Sequence, residues 1–142
     1  MQFKNILVVC VGNICRSPMA EYLLKKNHPQ LTIHSAGISG MIGYVADEKA
    51  QHCMQRIGID MSSHIARKLN AELIKQADLI LVMSQNQQKH IEQIWPFAKG
   101  KTFRLGHWRG RNVPDPYQHE QLVFNETCQL IQDCISDWTQ HI

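Results

Sequence analysis

The sequence predicts an α/β fold: a four-stranded parallel sheet of flavodoxin-like order 2-1-3-4 with helices on both faces. Three observations predict it. The short apolar runs Ile6-Leu7-Val8-Val9 and Leu79-Ile80-Leu81-Val82-Met83 are rich in β-branched residues and read as strands buried on both sides. Segments of helical composition alternate with them, as in parallel sheets. A loop rich in anion-binding residue types directly follows the first run, and such sheets hold ligands beyond the carboxyl ends of their strands at the switch in strand order, here strands one and three.

The first strand is expected over residues 3–9. A helix over residues 19–26 follows, with good helix formers and Met19, Leu23 and Tyr22 toward one face. Pro18 stands in its first turn, where a missing N–H costs nothing. Asn27-His28-Pro29 ends the helix, and residues 31–35 read as a second strand closed by Ser35-Ala36-Gly37. Residues 38–46 form a loop with Gly40 and Gly43. Asp47 is placed as the N-cap of a helix that Gly58 terminates. A short helix is expected near residues 70–76, the third strand over 79–83, and a helix over 85–95 capped by Ser84. Residues 103–105 make a weak fourth strand and 106–117 a loop. A closing amphipathic helix over 120–138 has Leu122, Val123, Cys128, Leu130, Ile131, Cys134, Ile135 and Trp138 on its apolar face.

The chemistry concentrates in Cys10-Val11-Gly12-Asn13-Ile14-Cys15-Arg16-Ser17-Pro18. A strand–loop–helix unit aims backbone N–H groups and a helix N-terminus at one point, which is an anion site. The same field favours a thiolate at Cys10. Arg16 brings a planar fork that holds two phosphate oxygens at once. Gly12 is expected to supply a positive-φ turn. The Asn13 side chain is placed to stiffen the curve. The Ser17 hydroxyl is placed to donate to the Cys10 sulfur.

Cys-x5-Arg-Ser after an N-terminal strand, with Asp115-Pro116-Tyr117 a hundred residues on, resembles the low-molecular-weight protein tyrosine phosphatases. Ser35-Ala36-Gly37 and Ala77-Asp78-Leu79-Ile80-Leu81-Val82-Met83 match as well, so the resemblance spans residues 1–142 as a single domain. The details are similar to the bacterial branch, whose members often act on tyrosine kinases of capsule and exopolysaccharide export. The resemblance implies a phosphocysteine intermediate with Cys10, Arg16 and Asp115 catalytic, and a phosphate loop of Val11, Gly12, Asn13, Ile14, Cys15, Arg16 and Ser17. Asn13, Ser17 and Ser35 would support that loop, and Met41, Tyr44 and Tyr117 would wall the substrate cleft. Many relatives carry an aromatic where Met41 stands and a second one at Gln118. Met41 is read equally well as a cap on the core. Cys15 is either a redox partner of Cys10 or a small loop filler. His64 and Arg67 match positions common in the family and are read as packing and hydrogen bonding beneath the cleft. Arg109 and Arg111 either face solvent or steer substrate.

The hydrophobic share of 44%, the charged share of 19% and a net charge of +3 fit an ordinary globular domain. No clustered basic run points to nucleic acid, and no apolar stretch approaches a membrane span. With no leader evident, a cytoplasmic protein, monomeric or weakly dimeric, is expected. Five cysteines without a CxxC pair argue against a disulfide framework, and Cys53, Cys128 and Cys134 read as buried small hydrophobes. No cofactor is implied, and no His–Cys spacing suggests zinc. The rival enzyme is a thioredoxin-coupled arsenate reductase on the same fold. It needs further cysteines after the third strand, where this chain has Met83-Ser84-Gln85-Asn86. A phosphocysteine carrier of sugar uptake would not need Arg16 or a general acid. A non-catalytic phosphotyrosine-binding module would be expected to lack Cys10 or Asp115, and a purely structural domain leaves the loop unexplained.

Overall fold

The computed structural model describes residues 3–142. Its elements in chain order are β1 (Asn5–Cys10), α1 (Arg16–Asn27), β2 (Thr32–Gly37), α2 (Glu48–Gln55), α3 (Ala71–Gln76), β3 (Leu79–Val82), α4 (Gln85–Ile94), β4 (Thr102–Arg104) and α5 (Gln121–Thr139), with single 3-10 turns at Pro96–Ala98 and His107–Arg109. The sheet is parallel throughout, in the order β2-β1-β3-β4. Val8 therefore lies between Ser35 and Leu81, and β1 is central.

Alternation along β1 builds two cores. Ile6, Val8 and Cys10 pack with Met19 and Leu24 of α1, Met54 of α2, and Phe124 and Ile131 of α5. Leu7 and Val9 turn to the other face, against Ile74 of α3 and Ile91 of α4. A strand buried on both faces needs apolar residues at every position, which is why β1 and β3 read as unbroken runs.

The boundaries depart from the sequence expectation in instructive ways. Ser35, Ala36 and Gly37 lie inside β2 rather than closing it, because β1 pairs with it as far as Cys10 opposite Gly37. α1 begins at Arg16, before residue 19, and Pro18 sits in its first turn. Asp47 caps α2 by accepting from the Lys49 N–H at 2.8 Å, but the helix ends at Gln55, before Gly58 takes its positive φ of 80°. Ser84 accepts from the Gln87 N–H while Gln87 Oε1 accepts from the Met83 N–H at 2.8 Å, a reciprocal box that starts α4. In α5 the buried stripe is Phe124, Cys128, Ile131, Ile135 and Trp138. Leu122 falls off that stripe and is exposed, contrary to expectation. The loop after β4 is not wholly irregular. Its 3-10 turn brings Arg109 onto Asp137 of α5 at 2.7 Å.

Candidate active site

The chain between β1 and α1 folds over the carboxyl end of the sheet. Its curvature comes from Asn13, which takes φ 62°. Gly12 was expected to provide that turn, but its φ is not positive. A Cβ on Gly12 would lie 3.4 Å from the Met41 side chain, so its smallness leaves room for Met41 to cover it. Asn tolerates the left-handed region better than most residues because its side chain bonds locally.

That side chain is fully buried and every polar atom is used. Asn13 Nδ2 donates to Ser17 Oγ at 2.8 Å and to Ser35 Oγ at 2.9 Å. Its Oδ1 accepts from the Arg67 N–H at 3.0 Å, and its backbone carbonyl lies 2.8 Å from His64 Nε2. Arg67 Nε also donates to the Ser35 carbonyl at 3.0 Å. Ser35 Oγ in turn donates to Glu21 Oε1. The direction of each bond follows from this chain. An amide nitrogen has only hydrogens to give, so Ser17 Oγ accepts from Asn13 and keeps its one hydrogen for the Cys10 sulfur 2.9 Å away. The Asn13 N–H also points at that sulfur, at 3.3 Å. Two donors therefore converge on Cys10 Sγ.

Glu21 was not picked out from the sequence. It is buried one helical turn beyond Ser17, bonded to Lys25 Nζ at 2.5 Å and 4.0 Å from His64 Nδ1. The signal available was the Ser17-x3-Glu21 spacing, which stacks both side chains on the face of α1 that looks at β2.

Arg16 is buried, and its guanidinium donates to the Val113 carbonyl at 2.9 Å while lying 3.6 Å from Asp115 Oδ2. Asp115 is half-exposed, and its Oδ1 accepts from the Tyr117 N–H at 3.1 Å. Cys10, Cys15, Arg16, Met41, Asp115 and Tyr117 line a common cavity of about 140 Å³, together with Ser39, which the sequence did not suggest. Tyr44 is not brought to this cavity. The chain turns at Gly43, and Tyr44 bonds through its backbone to Ala66 at 2.8 Å, leaving the ring exposed to solvent. Burial, with Asp47 second, pushes the Cys15 thiol far up from its ordinary range, so it stays protonated at neutral pH.

Gly37 explains how tightly the loop sits on the sheet. A Cβ there would lie 2.5 Å from the Val11 carbonyl oxygen. The Asp47 N–H donates to the Ile14 carbonyl at 2.9 Å and ties the start of α2 to the same loop.

Sheet order and loop together define a small doubly wound α/β protein with a thiol lining a cavity at its switch point. Residues 5–142 match the family described as low molecular weight phosphotyrosine protein phosphatase. The chain belongs to that family and is a protein-tyrosine-phosphatase. It is 84% identical to the low molecular weight protein-tyrosine-phosphatase Ptp of Acinetobacter johnsonii over the full length of both chains. It is 40% identical to Wzb of Salmonella typhimurium over 97% of this chain and 93% of that one. The structure of Vibrio vulnificus Wzb in complex with benzylphosphonate superposes with a TM-score of 0.96 at 39% identity, over 99% of this chain and 100% of that one.

Proposed function

We propose that the chain hydrolyses phosphotyrosine in two steps through a phosphocysteine at Cys10, as one domain over residues 1–142. The observation that carries the reading is Cys10 Sγ, held 2.9 Å from Ser17 Oγ on the floor of a cavity whose wall carries Arg16 and Asp115. The Cys10 thiolate attacks phosphorus, the S–P bond forms and the P–O bond to the tyrosine ring breaks. Asp115 gives its proton to the departing phenolate oxygen. Water then attacks phosphorus while ionised Asp115 takes its proton, the S–P bond breaks and inorganic phosphate leaves. A covalent nucleophile divides one hard displacement into two easier ones. The N–H groups of residues 11–17 and the Arg16 fork stabilise the equatorial oxygens through charge and position. Ser17 stabilises the sulfur as attacking thiolate and again as leaving group. Tyr117 and Met41 flank the substrate ring.

The arsenate-reductase reading lacks its relay: Cys10 and Cys15 are the thiols on the cavity among the described residues, and α4 starts where that family's further cysteines would stand. The physiological substrate we propose is an autophosphorylating tyrosine kinase of capsule or exopolysaccharide export, met in the cytoplasm. No described helix is long and apolar enough to cross a membrane. p-Nitrophenyl phosphate hydrolysis, with chelator present, tests the chemistry. Activity is expected to persist in the wild type, vanish in Cys10→Ser and fall sharply in Asp115→Asn, with a phosphate adduct trapped on the Cys10 peptide. Undiminished turnover by Cys10→Ser overturns the mechanism.

A further inference from the structure

Residues 113–119 carry Asp115 from the end of the sheet to the start of α5, and this loop is tied at both ends. At the first end the Val113 N–H donates to the Met83 carbonyl at 2.8 Å, and the Val113 carbonyl accepts from Arg16 at 2.9 Å. Between the ends the backbone is stiff. Pro114 and Pro116 fix their own φ on either side of Asp115. The His119 N–H closes onto the Pro116 carbonyl at 2.9 Å, around Gln118 at φ 67°. The far end is held from α2. Lys49 Nζ donates to the His119 carbonyl at 2.6 Å and stands 5.8 Å over the ring of Phe124 in α5. Gln121 Nε2 returns the contact, donating to the Lys49 carbonyl at 3.0 Å.

We propose that Lys49 is a positioning residue: by latching the His119 end of the loop to α2 it sets where Asp115 stands relative to Cys10, an inference that rests on Asp115 being the general acid proposed above. The start of α2 touches both catalytic loops. The Asp47 N–H holds the phosphate loop at the Ile14 carbonyl, at 2.9 Å, and Lys49, two residues on, holds the acid loop. Asp47 also fixes the Lys49 backbone, because its carboxylate accepts the Lys49 N–H at 2.8 Å.

The carboxyl group of Asp115 depends on this frame. It is half-exposed, one oxygen lies 3.6 Å from Arg16, and the other bonds within its own loop to the Tyr117 N–H. Its place therefore follows the loop backbone. Lysine suits the latch, since its ammonium reaches across on a long stem and the aromatic face beneath favours the charge. Lys49 is exposed and does not line the catalytic cavity, so replacing it leaves the core and the cavity walls intact.

The test compares full-length wild type, Lys49→Met, Lys49→Arg and Asp115→Asn. Methionine keeps much of the stem over Phe124 and removes the donor, whereas arginine restores one. kcat/KM is measured for p-nitrophenyl phosphate and for phenyl phosphate, because it reads the step in which the leaving oxygen departs. p-Nitrophenolate departs with less help from an acid, whereas phenolate needs the proton. A positioned acid contributes about a hundredfold or more. Lys49→Met is expected to lower kcat/KM about tenfold for phenyl phosphate and about twofold for p-nitrophenyl phosphate. Lys49→Arg is expected to recover most of that difference, and Asp115→Asn to widen the gap between the substrates furthest. An equal fall for both substrates in Lys49→Met, or no fall, overturns the latch while Asp115→Asn still widens the gap and the acid reading stands. No widening in Asp115→Asn itself overturns the acid reading, and the latch with it.

Discussion

Asn13 Nδ2 donates to Ser17 Oγ at 2.8 Å, and this one bond fixes which way the Ser17 hydrogen points. With its lone pair engaged from behind, the hydroxyl has Cys10 Sγ as the partner for its hydrogen, 2.9 Å away. A hydrogen bond to an ionised group contributes about 1.5–3 kcal/mol. Ser17→Ala is therefore expected to lower kcat for p-nitrophenyl phosphate by about ten- to a hundredfold. Thermal stability should change far less. An unchanged kcat would show that the thiolate does not need this donor.

Asn13 is held by two separate demands, its φ of 62° and its three side-chain hydrogen bonds. The Asn13→Gly and Asn13→Ala pair separates them. Glycine keeps the backbone free to adopt the conformation, whereas alanine is strained there by about 1 kcal/mol or more. Both lose the side-chain bonds and leave Ser17 and Ser35 without their shared donor. Both variants are expected to lose most activity, with Asn13→Ala melting at the lower temperature. Equal melting temperatures would mean that the loop can relax around Cβ.

Glu21 ends the chain of bonds that runs from Cys10 through Ser17, Asn13 and Ser35. As the acceptor it obliges Ser35 to donate inward and so to receive from Asn13. Glu21→Ala leaves a buried hydroxyl without its acceptor, at a cost of about 1–3 kcal/mol. Denaturant unfolding should register that loss. Turnover should fall as well, because Ser35 is then free to rotate and Asn13 loses its anchor. Glu21→Gln restores an acceptor oxygen without the charge and is expected to recover part of both. A fall in stability with no fall in kcat would confine Glu21 to packing.

The sheet was legible because residues 6–9 of β1 and all of β3 are buried on both faces and carry no polar residue, so their runs stand out. The loop was legible because a thiol, an arginine fork and a serine have a joint chemical meaning at their spacing. What stayed hidden was long-range. Nothing near Asn13 in sequence announces Arg67, His64 or Ser35 as its partners. Tyr44 lies three residues from Met41, but the turn at Gly43 and the pairing with Ala66 decide where its ring goes. The amphipathic reading of residues 120–138 puts Leu122 on the apolar face, while the phase of α5 is set by Phe124 and Trp138.

Asp78 gives a pH-dependent prediction. Its carboxylate accepts the Lys4 and Asn5 N–H groups, each at 2.9 Å, and those bonds hold its pKa below the usual carboxylate range. A carboxyl with a depressed folded pKa adds stability above its unfolded pKa of about 3.9 and loses it as pH falls through the folded value. Wild type is expected to exceed Asp78→Asn in urea midpoint at pH 7. The gap should close as pH drops below about 4. A gap that stays constant down to pH 2 would assign the difference to shape rather than charge.

Gly37→Ala tests how closely the phosphate loop is pressed to the sheet. The added Cβ would stand 2.5 Å from the Val11 carbonyl oxygen and about as near the Gly12 carbonyl carbon, at 2.9 Å. Those are backbone atoms of the loop and cannot swing aside as a flexible side chain would. Gly37 is also pinned from its other side, with its N–H on the Arg67 carbonyl and its carbonyl on the Leu69 N–H at 2.8 Å. The strain must therefore move residues 11–13, which carry the Asn13 N–H toward Cys10 Sγ. Overpacking of this kind costs about 1–3 kcal/mol. The expected result is a lower melting temperature, together with a fall in kcat/KM larger than Ser17→Ala produces, because several donors lose alignment at once. Retention of full activity in a destabilised Gly37→Ala protein would mean that the strain is absorbed by β2, and that the loop keeps its geometry without the close contact.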